Sequence, residues 1–271
     1  MTTNTIKLAV HGAAGRMGRR VVALASEDTE FQIVAAIDHA GNPLLGQDAG
    51  TVAGFAPIGL PLATDWPEEV DVVIDFSLPE ALDACIVSCV ESSTPLVVAT
   101  TGLDDEQEVK LRSAAELIPI VWAPSMSLAV NLTMKLAEQV ADTLGDVAGG
   151  LDVEIIERHH RFKADAPSGT ALKFGELIAK QLDTETLHVH GREGHTGERT
   201  RNEIGYHAVR VGDNPGEHTI VFGMLGERIE LNVAASNRDC YASGALAAAR
   251  WLQGRSNGLY TMFDVLGLES A

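Results

Sequence analysis

A strand that runs into a glycine turn and out into a helix leaves a chain few folds to choose from, and this sequence opens with one. Ile6-Lys7-Leu8-Ala9-Val10 reads as a buried parallel strand, because its apolar residues do not give way to a polar face. Gly12-Ala13-Ala14-Gly15-Arg16-Met17-Gly18 follows, then a helical pattern with Met17, Val21, Val22 and Leu24 at its apolar positions. A second strand, from Gln32 to Ile37, ends at Asp38, about 20 residues past the last glycine. In a dinucleotide fold the glycines make the tight turn, the helix N-terminus receives the pyrophosphate and the terminal acid takes the adenosine ribose. Gly12, Ala13, Ala14, Gly15, Arg16, Met17, Asp38 and His39 are therefore cofactor candidates. A carboxylate at 38 repels a 2′-phosphate, which favours NADH; Arg16 can still reach that phosphate, so NADPH stays open as a second cofactor.

The strand–helix alternation continues. Leu45 to Leu62 is rich in Gly and Pro and reads as loop with room for one edge strand. Val70 to Phe76 is a strand, Pro79-Glu80 starts a helix, and Leu96 to Ala99 is a strand ending in Thr100-Thr101-Gly102. Asp104 caps a helix through Glu116, and Ile118 to Trp122 is a strand ending in Pro124-Ser125-Met126-Ser127. This order predicts an α/β fold with a Rossmann-type doubly wound parallel sheet. Ligands bind at the carboxyl ends of such strands, which adds Ala99, Thr100, Thr101, Pro124, Ser125, Met126 and Ser127 to the cofactor candidates.

Beyond Leu128 the rhythm changes. A helix from Asn131 to Leu144 leads to an alternating strand, Leu151 to Glu157, and then to Arg158, His159, His160, Arg161 and Lys163. A helix opens at Pro167-Ser168-Gly169-Thr170 and runs to Leu182. Two imidazoles and an ammonium beside free backbone N–H groups can bind a carboxylate and deliver a proton in one place. Ser168 and Thr170 can cap that helix or bond a ligand, and Gly169 lets an anion approach the backbone. Antiparallel strands are expected over Ile204–Val211, His218–Met224 and Arg228–Ala235, with Gly212 to Gly216 turning between the first two. The second domain is thus α+β with a mixed or antiparallel sheet. Ala242 to Leu252 forms a last helix that returns to the first domain, giving divisions of 1–127 with 238–271, and 128–237.

Glu154 to Ala171, E-I-I-E-R-H-H-R-F-K-A-D-A-P-S-G-T-A, resembles the signature of the bacterial 4-hydroxy-tetrahydrodipicolinate (dihydrodipicolinate) reductase family, E-[IV]-x-E-x-H-x-x-x-K-x-D-x-P-S-G-T-A, at every fixed position. The resemblance extends over the whole chain, including Arg192 to Arg199 and Gly216 to Thr219. It implies an NAD(P)H-dependent reductase of the lysine and diaminopimelate pathway, acting on a cyclic dicarboxylate, with the second domain binding substrate and its sheet assembling a homotetramer. It implies His159 as general acid, Lys163 as proton supply or electrostatic stabiliser, and His160, Ser168, Gly169 and Thr170 as substrate contacts. Arg238 is a further substrate candidate, or equally a surface or hinge arginine. The chain departs from the family at Ala99, Ser125, Met126 and Ala129, near the expected nicotinamide end; no proton donor or substrate cation is lost. Two other functions stay open: a different two-domain dehydrogenase of the aspartate or homoserine type, and a non-catalytic dinucleotide sensor.

Composition bounds partners. The net charge of −18 argues against nucleic acid and anionic membrane, and against long-range attraction of an anionic substrate. Salt screens that field within about 8 Å, so the cations from Arg158 to Lys163 dominate locally. No apolar run approaches the roughly 20 residues of a membrane span, and Met1-Thr2-Thr3-Asn4-Thr5 does not read as a signal peptide. Cys85, Cys89 and Cys240 are odd in number and suit a reducing cytoplasm. No metal is expected: no cysteine pair has zinc spacing, and His188-x-His190 has no acidic or Cys partner nearby.

Overall fold

The computed structural model describes residues 5–182 and 185–268; Met1 to Asn4, part of the leading segment read as carrying no signal, lie outside them. The chain divides into two compact units, Met1–Leu128 with Arg238–Ala271, and Ala129–Asn237.

In the first unit β1 (Ile6–His11), α1 (Arg16–Glu27) and β2 (Phe31–Ile37) form the opening βαβ. The segment read as a loop holds a short helix, α2 (Ala49–Val52), capped by the Asp48 carboxylate, and the edge strand β3 (Leu62–Ala63). β4 (Val72–Asp75), α3 (Pro79–Glu91), β5 (Leu96–Val98), α4 (Asp105–Ala115) and β6 (Pro119–Trp122) follow. α4 starts on a reciprocal capping box, in which Asp104 accepts from the Gln107 N–H and Gln107 accepts from the Asp104 N–H. Pro at the head of α3 fixes its first turn without losing a needed donor.

After α5 (Leu128–Leu144), the second unit contains β7 (Asp152–His159), α6 (Gly169–Ala179), β8 (Leu187–His190), β9 (Glu203–Arg210), β10 (Glu217–Met224) and β11 (Glu227–Ala234). The chain then re-enters the first unit with α7 (Asp239–Leu252), β12 (Gly258–Tyr260) and α8 (Met262–Val265).

The first unit's sheet runs β12-β6-β5-β4-β1-β2-β3, every described pairing parallel. Its central strands are buried on both faces, as in β4 and β5, which is why their sequences show no alternation. α7 lays Ala242, Ala245, Leu246, Ala248, Ala249 and Leu252 into the core beside α1. Arg20 of α1 pairs with Asp239 at 2.5 Å, at the head of α7. Among the described residues, no helix is long and apolar enough to cross a membrane.

The second sheet runs β11-β10-β7-β9-β8 and is mixed. β10 is antiparallel to β7 and β11, whereas β9 is parallel to β7 and β8. This corrects the expected hairpin: β9 and β10 are not neighbours, because β7 lies between them. The Gly212–Gly216 turn instead passes the end of β7. Val211 N–H bonds His159 O at 2.9 Å, and Arg161 N–H bonds Gly212 O at 3.1 Å. The sequence reading also missed β8, although His188 and His190 sit on it.

Candidate active site

At the carboxyl end of the first sheet, β1 stops at His11 and the chain turns through Gly12 at φ +75°. A Cβ there would lie 2.6 Å from the Phe76 carbonyl oxygen, and one at Gly18 would lie 2.1 Å from the Gly12 carbonyl oxygen. Neither backbone group can give way, so both positions require glycine and the turn lies flat on the sheet. α1 therefore starts at Arg16 with no side-chain cap and no acidic residue in its first turn. Its free N–H groups are left to an anion.

Asp38 holds this turn as well as facing the groove. Its Oδ2 accepts from Ala14 N–H at 2.8 Å, and Oδ1 accepts from His39 N–H at 3.0 Å and Asn42 Nδ2 at 2.8 Å. Oδ2 keeps one lone pair for a ribose hydroxyl. A groove of about 880 Å³ brings Gly12, Ala14, Gly15, Arg16, Met17, Asp38 and His39 together. It also includes Trp66, Phe76, Ser77 and Ala81, which are not among the cofactor candidates of the sequence. The end of β4 gave a signal for two of them, since Phe76 and Ser77 follow a parallel strand, as the segments holding Thr100 and Ser125 do.

Ala13 is buried under the turn. Ala99, Thr100, Thr101 and Pro124 to Ser127 lie past the ends of β5 and β6 and do not line that groove. Thr100 Oγ1 donates to buried Asp75 at 2.5 Å, and the other Asp75 oxygen takes His11 Nδ1 at 2.6 Å. Met126 is a core residue, 1% exposed with its backbone included. Gly244 of α7 explains the burial: a Cβ there would lie 1.7 Å from the Met126 carbonyl oxygen.

In the second unit the reactive groups converge on Glu157, whose residue is fully buried. His159 Nδ1 lies 2.6 Å from Glu157 Oε2, and Arg210 grips the carboxylate with two bonds of 2.7 and 2.8 Å. The Ser168 backbone N–H adds a fourth at 3.0 Å. Register explains the convergence: β7 pairs Glu157 with His218 of β10 and His159 with Arg210 of β9. Side chains paired in this way share one face of the sheet. Burial alone would raise the Glu157 carboxyl, but Arg210 and His159 together hold it below the usual carboxylate range. Burial pushes His159 below the ordinary imidazole value, with the Glu157 carboxylate opposing.

Ser168 is buried and caps α6, its Oγ accepting from Ala171 N–H at 3.2 Å. A Cβ at Gly169 would meet open space, so the approach to this helix end is unobstructed. Thr170 lies in the same first turn. Lys163 Nζ pairs with Asp165 at 2.9 Å, and its backbone N–H bonds His160 O at 3.1 Å. His160 packs against Phe162, and its buried Nδ1 has no partner among the described residues. The structure thus gathers His159, His160, Lys163, Ser168, Gly169 and Thr170 in one unit. Arg238 precedes α7 as its N-cap residue and lies in the first unit. His188 and His190 both pack on Tyr206, and His188 Nδ1 lies 2.7 Å from its hydroxyl. Arg210 and His218 went unread because only strand register brings them here.

Two family models match the chain: "Dihydrodipicolinate reductase, N-terminus" over residues 6–126 and "Dihydrodipicolinate reductase, C-terminus" over residues 129–266. A 4-hydroxy-tetrahydrodipicolinate reductase of Rhodopirellula baltica is 71% identical over 98% of both chains. One of Alkalilimnicola ehrlichii is 48% identical over 97% of this chain and all of its own. Among solved structures, the dipicolinate-bound dihydrodipicolinate reductase of Paenisporosarcina sp. TG-14 superposes with a TM-score of 0.77 at 26% identity, covering 96% of this chain and 99% of its own. An amine dehydrogenase of Mycobacterium smegmatis, at 11% identity and a TM-score of 0.62, shares the fold.

Proposed function

The chain belongs to the dihydrodipicolinate reductase family, and from that premise we propose how its residues carry out the reduction of 4-hydroxy-tetrahydrodipicolinate in lysine and diaminopimelate biosynthesis. The observation that carries the reading is His159, buried, fixed through Nδ1 on Glu157, and beside the open N-terminus of α6.

The first unit fits a nicotinamide dinucleotide. The turn at Gly12 and Gly18 admits no side chain, and the uncapped first turn of α1 suits the pyrophosphate. Arg16, Met17, Asp38 and His39 would flank the adenosine half. Ala99, Thr100, Thr101, Pro124, Ser125 and Ser127 would flank the nicotinamide half, with Met126 seated in the core beside them. The bound cofactor supplies hydride. NADH is the preferred form, because Asp38 repels a 2′-phosphate and His39 lacks the fork that arginine offers one; NADPH is the secondary form.

In the second unit His159 delivers the proton that neutralises charge developing in the reduced ring. Glu157 takes Nδ1–H, so it is the Nε2 proton of the imidazolium form that is delivered, leaving the neutral ring with its proton on Nδ1. Lys163 stabilises that charge and resupplies the proton. His160 and the donors of Ser168, Gly169 and Thr170 hold the carboxylates. Arg238 is a further candidate contact for the substrate.

The protein acts in the cytoplasm and assembles as a homotetramer through the second unit's sheet. The exposed apolar side chains of Leu187 on β8 and Val209 on β9, with Val211 just past β9, support such an assembly. The deciding assay follows NADH oxidation with the condensation product of aspartate semialdehyde and pyruvate. Turnover of that product and none of pyruvate or oxaloacetate is expected; the reverse pattern overturns the assignment.

A further inference from the structure

We propose that His218 is a positioning residue that sets the direction of the Ser168 hydroxyl: its Nε2–H donates to Ser168 Oγ, so that the hydroxyl's own proton is left for a substrate carboxylate. This rests on the reading of Ser168 as a carboxylate donor.

A serine hydroxyl has one proton and two lone pairs. At Ser168 the Ala171 N–H takes one lone pair, at 3.2 Å. His218 Nε2, 3.1 Å from the same oxygen, decides the rest. With the ring proton on Nδ1, Nε2 would be an acceptor. The hydroxyl proton would be spent on it, and Oγ would turn a lone pair toward an arriving anion. With the ring proton on Nε2, both lone pairs of Oγ are filled, and the hydroxyl can only donate outward. A carboxylate therefore selects the second arrangement, and the incoming bond from the ring strengthens the outgoing one.

The sheet fixes this geometry. β10 pairs His218 with Glu157 of β7, which puts the ring on the reactive face. There it stands edge-on to His159 at 5.2 Å and lies 6.0 Å from Phe174 of α6. The residue is 4% exposed, so water cannot readily replace Ser168 as its partner. Burial, with His159 adding to it, pushes the ring's pKa down to about 4. Near neutral pH the ring therefore carries a single proton, and the choice between its two nitrogens is a real one. Among the described residues, His218 is the only side chain that bonds Ser168 Oγ.

The tautomer can be read directly by long-range proton–nitrogen correlation of the imidazoles in the full-length protein, with His218 assigned by its loss in His218→Gln. Pyridine-2,6-dicarboxylate serves as the probe. Protonation at Nε2 is expected in the complex; protonation at Nδ1 overturns the proposal. Kinetics give a second arm. Ser168→Ala and His218→Leu should each raise KM for the cyclic substrate about ten-fold, the size of one lost bond to a charged group, with KM for NADH unchanged. His218→Gln, which keeps an N–H donor, should recover most of that loss. The double variant should be no worse than Ser168→Ala alone, because both changes remove the same bond. If Ser168→Ala raises KM but His218→Leu is silent or adds to it independently, the His218 proposal fails alone. A silent Ser168→Ala overturns the carboxylate role of Ser168, and the proposal with it.

Discussion

His159 reaches its position because Glu157, two residues back on the same face of β7, is itself pinned by Arg210. His159→Gln removes the proton donor while keeping a polar side chain of similar reach. It should lower kcat by about 10²-fold or more and leave KM for NADH nearly intact, the pattern of lost general-acid catalysis. His160→Gln should instead mainly raise KM for the dicarboxylate. Glu157→Gln separates positioning from chemistry. The Glu157 carboxylate opposes the burial that lowers the His159 pKa, so neutralising it should lower that pKa further. The limb of kcat/KM that falls as His159 loses its proton should then move to lower pH; an unmoved limb would assign Glu157 a purely structural part. At the cofactor end, His39→Arg offers a permanent charge and a bidentate fork, and should shift preference toward NADPH in paired KM measurements. His159, Lys163 and Ser168 were legible in the sequence because they fall within one short segment. Arg210 and His218 were not, since they lie 53 and 50 residues from the groups they bond.

The elements themselves were read with good success where the signal is local. The strand–glycine–helix opening, the Pro at the head of α3 and the Asp104 cap each carry their own boundary, and each appears in the structure. Pairing between strands is not local. Gly212 to Gly216 has the composition of a hairpin turn, yet β7 occupies the place between β9 and β10, and nothing in the turn residues records that. The return of α7 to the first unit leaves a different trace, a glycine in an alanine-rich helix. Gly244 lets α7 close on the Met126 carbonyl, where an added Cβ would sit at 1.7 Å. Gly244→Ala should therefore push α7 off the segment after β6, although alanine is the better helix former. A destabilisation of about 1–3 kcal/mol is expected, seen as a lower Tm, together with a raised KM for NADH. A Tm that rises, as helix propensity alone would dictate, would show that this contact is loose.

At the scale of the whole molecule, stability should respond to pH in two separate windows. His218 has a folded pKa of about 4 against an ordinary value of 6.5, because burial disfavours its charge. Between those values the unfolded chain binds a proton that the folded chain refuses, so the stabilising effect is complete above 6.5 and is lost as pH falls toward 4. For a ring this buried the loss amounts to roughly 3 kcal/mol. His159, lowered in the same direction by burial, adds to it. The carboxylates act lower down. Arg192, His207 and Arg199 overcome burial to hold Glu154 at about 2, and Arg192 with Thr200 holds Glu203 there too. Their stabilisation persists until pH falls below the ordinary carboxylate value of 4.5, where the unfolded chain begins to take up their protons. Thermal unfolding followed from pH 7 to pH 5 should therefore show a decline in Tm that belongs to the imidazoles. His218→Gln should flatten that decline while leaving the steeper loss below pH 4.5 in place. An equally steep decline in the variant would mean that the upper window belongs to other groups, and that His218 accepts its charge in the folded protein more readily than its burial allows.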